Sequence, residues 1–120
     1  MKDITYYNKR CAELIGKSFD DYKGRYPFWE FIVDGKTEMF YKEAVNEIPF
    51  IKSFSWQITV WQKVYAVVLD NISGIEDITR FTKIREQYFH EIDLGTPETA
   101  FTILCQAIDF IDANGGENGK

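Results

Sequence analysis

His90 is the single histidine of the chain, and Cys11 and Cys105 are its two cysteines. A Ser-His-Asp or Cys-His nucleophile would have to use that one imidazole, and no G-x-S-x-G elbow accompanies it. Zinc would need closely spaced thiolates or imidazoles, and neither a C-x-x-C nor an H-x-x-x-H pattern occurs. The acidic pairs Asp20-Asp21, Glu76-Asp77 and Asp109 with Asp112 could serve acid/base or magnesium chemistry. The last pair falls on one face of a helix, where solvated surface charge is the ordinary reading. Gly16-Lys17-Ser18 has the ending of a phosphate-binding loop, but Cys11 occupies the position where that loop needs its first glycine, and a helix precedes it instead of a strand. The residue types therefore predict a protein that is not an enzyme and carries no metal or cofactor.

Between positions 17 and 29 cations alternate with rings: Lys17, Phe19, Tyr22, Lys23, Arg25, Tyr26, Phe28 and Trp29. Such a surface can stack unpaired bases and neutralise phosphates, which makes Lys17, Tyr22, Lys23, Arg25, Tyr26 and Trp29 candidate contacts to RNA, single-stranded DNA or another partner. The alternative is that Phe19, Phe28 and Trp29 close the hydrophobic face of a sheet while the cations keep the loop wet. Three Trp, seven Tyr and ten Phe exceed what a small core requires. Some are expected at the surface, where aromatic side chains dominate protein interfaces.

Charge divides unevenly. Residues 1–25 carry six Lys/Arg against four Asp/Glu, and residues 26–120 carry eight against fifteen, for a net charge of -5. An acidic chain is repelled by phosphate backbones at long range, so general nucleic-acid binding is disfavoured. Either solubility or complementarity to a basic protein surface accounts for the acidity. In the second case Glu43, Glu47, Asp109 and Asp112 form the acidic contact surface. The length of 120 residues suits one domain able to bury a core without metal or disulfide. No apolar run is long enough for a membrane span, and Met1–Arg10 lacks the apolar stretch of a signal peptide. The expected compartment is cytoplasmic, with both cysteines reduced and buried; a disulfide between them requires the terminal helices to pack together.

The elements that must position these residues follow from periodicity. Asp3 precedes an amphipathic helix through Ile15, with Gly16 as a left-handed cap. Residues 17–26 read as a loop, and Phe28–Val33 as a short strand ending at the turn Asp34-Gly35. Phe40, Tyr41, Ala44, Val45, Ile48 and Ile51 share one helical face, predicting a second helix over 37–51 capped by Thr37. Alternation and β-branched content over 55–69 predict strand, whose apolar edge would suit a two-fold dimer as readily as a monomer. Residues 78–92 fit either a helix or an edge strand. Thr96-Pro97-Glu98 opens a buried final helix to about Ala113. The fold class is α+β: one domain over 1–113, a small, mainly antiparallel sheet against about three helices, and a flexible tail over 114–120.

The opening helix Tyr7–Gly16, a central helix ending at Ile48–Lys52 and the closing run Thr96-Pro97-Glu98-Thr99-Ala100-Phe101 resemble small phage or prophage proteins of the ABA-sandwich type. The resemblance implies a virus-encoded accessory protein acting in the bacterial cytoplasm, of the kind that includes anti-CRISPR inhibitors. It carries over no functional residue. Together with the acidic balance it gives the functional expectation: a non-enzymatic inhibitor that binds a host protein, such as an RNA-guided defence nuclease. The alternative is an RNA or single-stranded DNA binding module built on the 17–29 loop.

Overall fold

A computed structural model describes residues 2–19 and 28–113. Asp3 accepts from the Tyr6 amide at 3.0 Å and opens helix α1, Ile4–Ile15, a side-chain cap for one of the orphan N–H groups. Gly16 is extended rather than left-handed. Its requirement is space: a Cβ there would stand 2.7 Å from a Phe31 ring carbon and 2.8 Å from the Ala12 carbonyl. The chain continues directly into β1, Lys17–Phe19, where a loop was expected. The expected flexible tail over 114–120 and residues 20–26 of the predicted loop lie outside the described residues.

Strand β2, Phe28–Val33, pairs antiparallel with β1 on one side and with β3, Lys36–Tyr41, on the other. Asp34 and Gly35 both have positive φ, at 55° and 75°, the backbone that two-residue hairpins demand. That turn sets Val33 opposite Lys36 and lays 36–41 along β2. The predicted helix over 37–51 is thereby replaced by β3 and a 3-10 segment, Lys42–Glu47. Hairpin closure outweighs the helical spacing, and Ile48, extended before Pro49, ends the 3-10 segment. Trp29, Phe31 and Val33 face inward and are buried, whereas Ile32, Met39 and Tyr41 on the outer face are each more than half exposed.

The predicted strand over 55–69 is helix α2, Phe54–Asn71, capped by Ser53. Its buried residues Trp56, Gln57, Val60, Trp61, Val64 and Val68 recur with helical period, so packing overrides the β-branched preference. No strand edge exists there to support a dimer. Residues 78–92, open between helix and strand, lie within helix α3, Ile75–Leu94, which ends at left-handed Gly95. The Gly95 amide donates to both the Glu91 and Ile92 carbonyls. Helix α4, Pro97–Ala113, begins where Thr96-Pro97 predicts and is buried along most of its length.

The described chain is α+β with a small antiparallel sheet, as expected, but with four α-helices and one 3-10 segment where about three helices are expected. The inner sheet face meets α2 through an aromatic cluster in which Phe31 lies 5.1 Å from Trp56 and 6.1 Å from Phe50. On the far side of α2, α4 forms the centre of the core and α3 packs along it.

Candidate binding surfaces

The chemistry-bearing residues are dispersed. His90 is exposed on α3 in a shallow depression beside Lys83, Glu86, Gln87 and Glu91. Cys11 and Cys105 are free and buried, and burial raises both thiols, Cys105 to about 12 and Cys11 well above its ordinary value. Raised thiols hold little nucleophilic thiolate at neutral pH. Among the described residues, no group of three or more His, Cys, Asp or Glu side chains comes together as a metal would need. None of their helices is long and apolar enough to cross a membrane.

The proposed acidic surface separates into two parts. Glu43 and Glu47 are exposed on the 3-10 segment. Asp109 and Asp112 instead form the polar seam between α4 and α1. The Tyr7 hydroxyl donates to Asp109 at 2.7 Å, and the Tyr6 hydroxyl donates to Asp112 at 3.0 Å. Arg10 clamps Asp112 through Nη2 at 2.6 Å and Nε at 3.1 Å. These two carboxylates are spent within the fold. Burial, then hydrogen bonding to Asp109, raises Tyr7 to about 12.

Of the basic aromatic stretch, Lys17 is exposed, and Tyr22, Lys23, Arg25 and Tyr26 lie outside the described residues. Trp29 takes the core position: its ring is buried, stacks 6.5 Å from Phe31 and lies beneath the Lys42 ammonium at 5.3 Å. That indole closes the sheet face, as the second reading of the stretch has it, and is not presented for base stacking.

A surface that the sequence did not single out lies between α2 and α3. Trp61 sits 4.9 Å from Tyr88 and 5.9 Å from Phe81, and Tyr65 stacks on Phe81 at 6.2 Å. The two helices meet through these rings, and a groove of about 290 Å³ opens above them. Trp61 and Tyr88 form its floor. Ile58, Gln62 and Tyr65 of α2 and Arg85 and Phe89 of α3 form its walls. Ile58, Tyr65 and Phe89 keep 38%, 42% and 50% of their surface in water, a concentration of apolar exposure that marks interaction sites.

The floor is fixed from below. The Tyr88 hydroxyl donates to Gln57 Oε1 at 2.9 Å, while Gln57 Nε2 donates to the carbonyls of Phe50 and Pro97 at 2.8 and 2.9 Å. The Trp61 indole N–H is buried without a hydrogen-bond partner. At the wall, the Arg85 guanidinium lies 5.5 Å from the Tyr65 ring centre and pairs with no carboxylate of the described residues. The groove residues were hidden by the strand reading of 55–69. On a helix, positions 58, 62, 65 and 69 form one stripe, a signal present in the sequence once the period is known. Neither a family model, nor a curated protein, nor a solved structure matches this chain.

Proposed function

We propose that this protein is a non-enzymatic binding module that receives another protein in the groove between α2 and α3. The observation that carries the reading is a rigid aromatic floor bordered by exposed Ile58, Tyr65 and Phe89. Pre-formed apolar surface of this kind gives binding energy with little ordering cost. The finer form of the proposal is inhibition of a host defence nuclease in the bacterial cytoplasm. It draws on the resemblance to phage accessory proteins, on the acidic balance of residues 26–120, and on exposed Glu43 and Glu47 as the charged fringe.

The test is capture from bacterial lysate by the tagged chain, with and without ribonuclease, followed by a cleavage assay on any nuclease retained. A protein held after ribonuclease, released by Ile58→Asp but not by Lys17→Glu, is the expected result. If Ile58→Asp and Phe89→Asp leave the captured set unchanged, the groove is not the binding surface. Loss of every partner on ribonuclease treatment, or on Lys23→Glu with Arg25→Glu, transfers the function to nucleic acid through the 17–29 stretch. A retained nuclease that cleaves normally in the presence of the chain removes the inhibitory form and leaves binding.

A further inference from the structure

The groove has a shape and a charge that select among occupants. We propose that it takes an amphipathic helix from the partner protein, with apolar side chains on the aromatic floor and one carboxylate directed to Arg85; this inference rests on the binding-module reading above. On α2 the stripe Ile58, Gln62, Tyr65 and Leu69 runs along one face, and on α3 the stripe Ile78, Thr82, Arg85 and Phe89 has the same spacing in the opposite direction. Ile58 faces the groove with Phe89, and Tyr65 with Arg85. Exposed Leu69 and Ile78 extend the same stripes toward the Ile72–Gly74 connection. From Ile58 to Leu69 is three helical turns, about 16 Å, the length over which a docked helix presents side chains at i, i+4, i+7 and i+11.

Three physical arguments favour that occupant. Both walls are helices whose backbone groups are bonded internally, so an extended peptide would find no edge to pair with, whereas a helix brings its own hydrogen bonds satisfied. The lining is mainly apolar, with Ile58 and Tyr65 on one wall and Phe89 on the other over the Trp61–Tyr88 floor, matching an apolar stripe rather than a polar loop. Arg85 is the one charge among the lining residues, and it has no carboxylate partner among the described residues. A second copy placed here by a two-fold axis would set Arg85 near Arg85 with no lining carboxylate to offset it. A partner carboxylate gives the guanidinium its missing counter-charge.

The experiment uses the full chain and a pair of alanine-based helical peptides with leucines at i, i+4, i+7 and i+11. One peptide carries glutamate on the leucine face and the other lysine at the same position. Titration is followed by tryptophan fluorescence and by amide chemical shifts. The glutamate peptide is expected to bind the parent chain about fivefold or more tightly than the lysine peptide, with the order reversed for Arg85→Glu. Ile58→Asp is expected to weaken both peptides, and circular dichroism of each variant confirms that it is folded. Equal binding of the two peptides, no reversal in Arg85→Glu, or shifts outside the groove overturns the proposal. Concentration-dependent dimerisation lost in Ile58→Asp overturns it in favour of a second copy. If lysate capture depends on Ile58 while the peptides fail to discriminate, the groove is a binding site and its helical, acidic occupant is wrong. If neither experiment depends on Ile58, the binding-module reading falls with it.

Discussion

The hydroxyl of Tyr7 shows how one buried group ties stability to pH. Tyr7 as a residue is 2% exposed, and burial, then the bond its hydroxyl donates to Asp109, raises that hydroxyl from its ordinary 10 to about 12. Cys105, buried nearby and close to the charge of Asp109, moves from 9 to about 12. In the unfolded chain these groups lose their protons at the ordinary values, before the folded chain does. Above pH 9 the unfolded state therefore binds fewer protons than the native state, and the stability these groups lend is lost as pH rises toward 12. Urea midpoints are expected to agree between about pH 7 and pH 8 and to fall by about pH 11. Tyr7→Phe should be less stable than the parent near neutrality, through loss of the Asp109 bond, and should show a shallower alkaline decline. A Tyr7→Phe profile parallel to that of the parent would exclude this hydroxyl as a source of the dependence.

At the scale of elements, Gln57 joins what the backbone leaves apart. Its carboxamide links α2 to the Phe50 carbonyl, to Pro97 at the start of α4 and to Tyr88 on α3. Gln57→Leu keeps the volume but takes the side-chain donor from the Phe50 carbonyl and the acceptor from the Tyr88 hydroxyl in the interior, while the Pro97 carbonyl, in the first turn of α4, loses only its second donor. It is expected to cost about 2–4 kcal/mol, measured by denaturant unfolding, and to quench the order of the groove floor at Tyr88. The elements that the sequence makes legible are those with local signals. Asp3 before α1, Asp34-Gly35 at the hairpin and Thr96-Pro97 before α4 each state their own backbone geometry. Helix α2 was obscured because Ile58, Thr59, Val60, Val64, Val67 and Val68 favour strand intrinsically, and only packing against α4 and the sheet decides otherwise. Strand β3 was obscured for the opposite reason. Its alternation is present, but Met39 and Tyr41 fall on the outer face while Lys36 and Glu38 share the inner parity with Phe40. Of the two sequence readings of Trp29, contact or core, the structure takes the core one, whereas Tyr65, Arg85 and Phe89 come together only once 54–71 and 75–94 are both helices.

For the molecule as a whole, the three helices after the hairpin follow one another through short connections, whereas α1 is held by groups far along the chain. The Arg10–Asp112 pair is largely buried, with 14% and 19% of the two side chains exposed. Arg10→Ala leaves that carboxylate with only part of its neutralisation and is expected to cost about 2–3 kcal/mol. Native-state hydrogen exchange should locate the effect: amides of 4–15 exchange faster, and those of α3 keep nearly their original protection. Uniform acceleration across all helices would mean that α1 is part of a single cooperative unit and not a docked flank. The same seam has a meaning for the chain as it is made. A ribosome delivers residues 4–15 long before residues 109 and 112, so this segment waits for nearly all of the remaining domain before Tyr7 meets Asp109 and Arg10 meets Asp112. The 3-10 segment and α2, which also pack on α1, are made before α4, so the apolar face of α1 has its first partners earlier and the polar seam to α4 is the last part of its setting to be supplied.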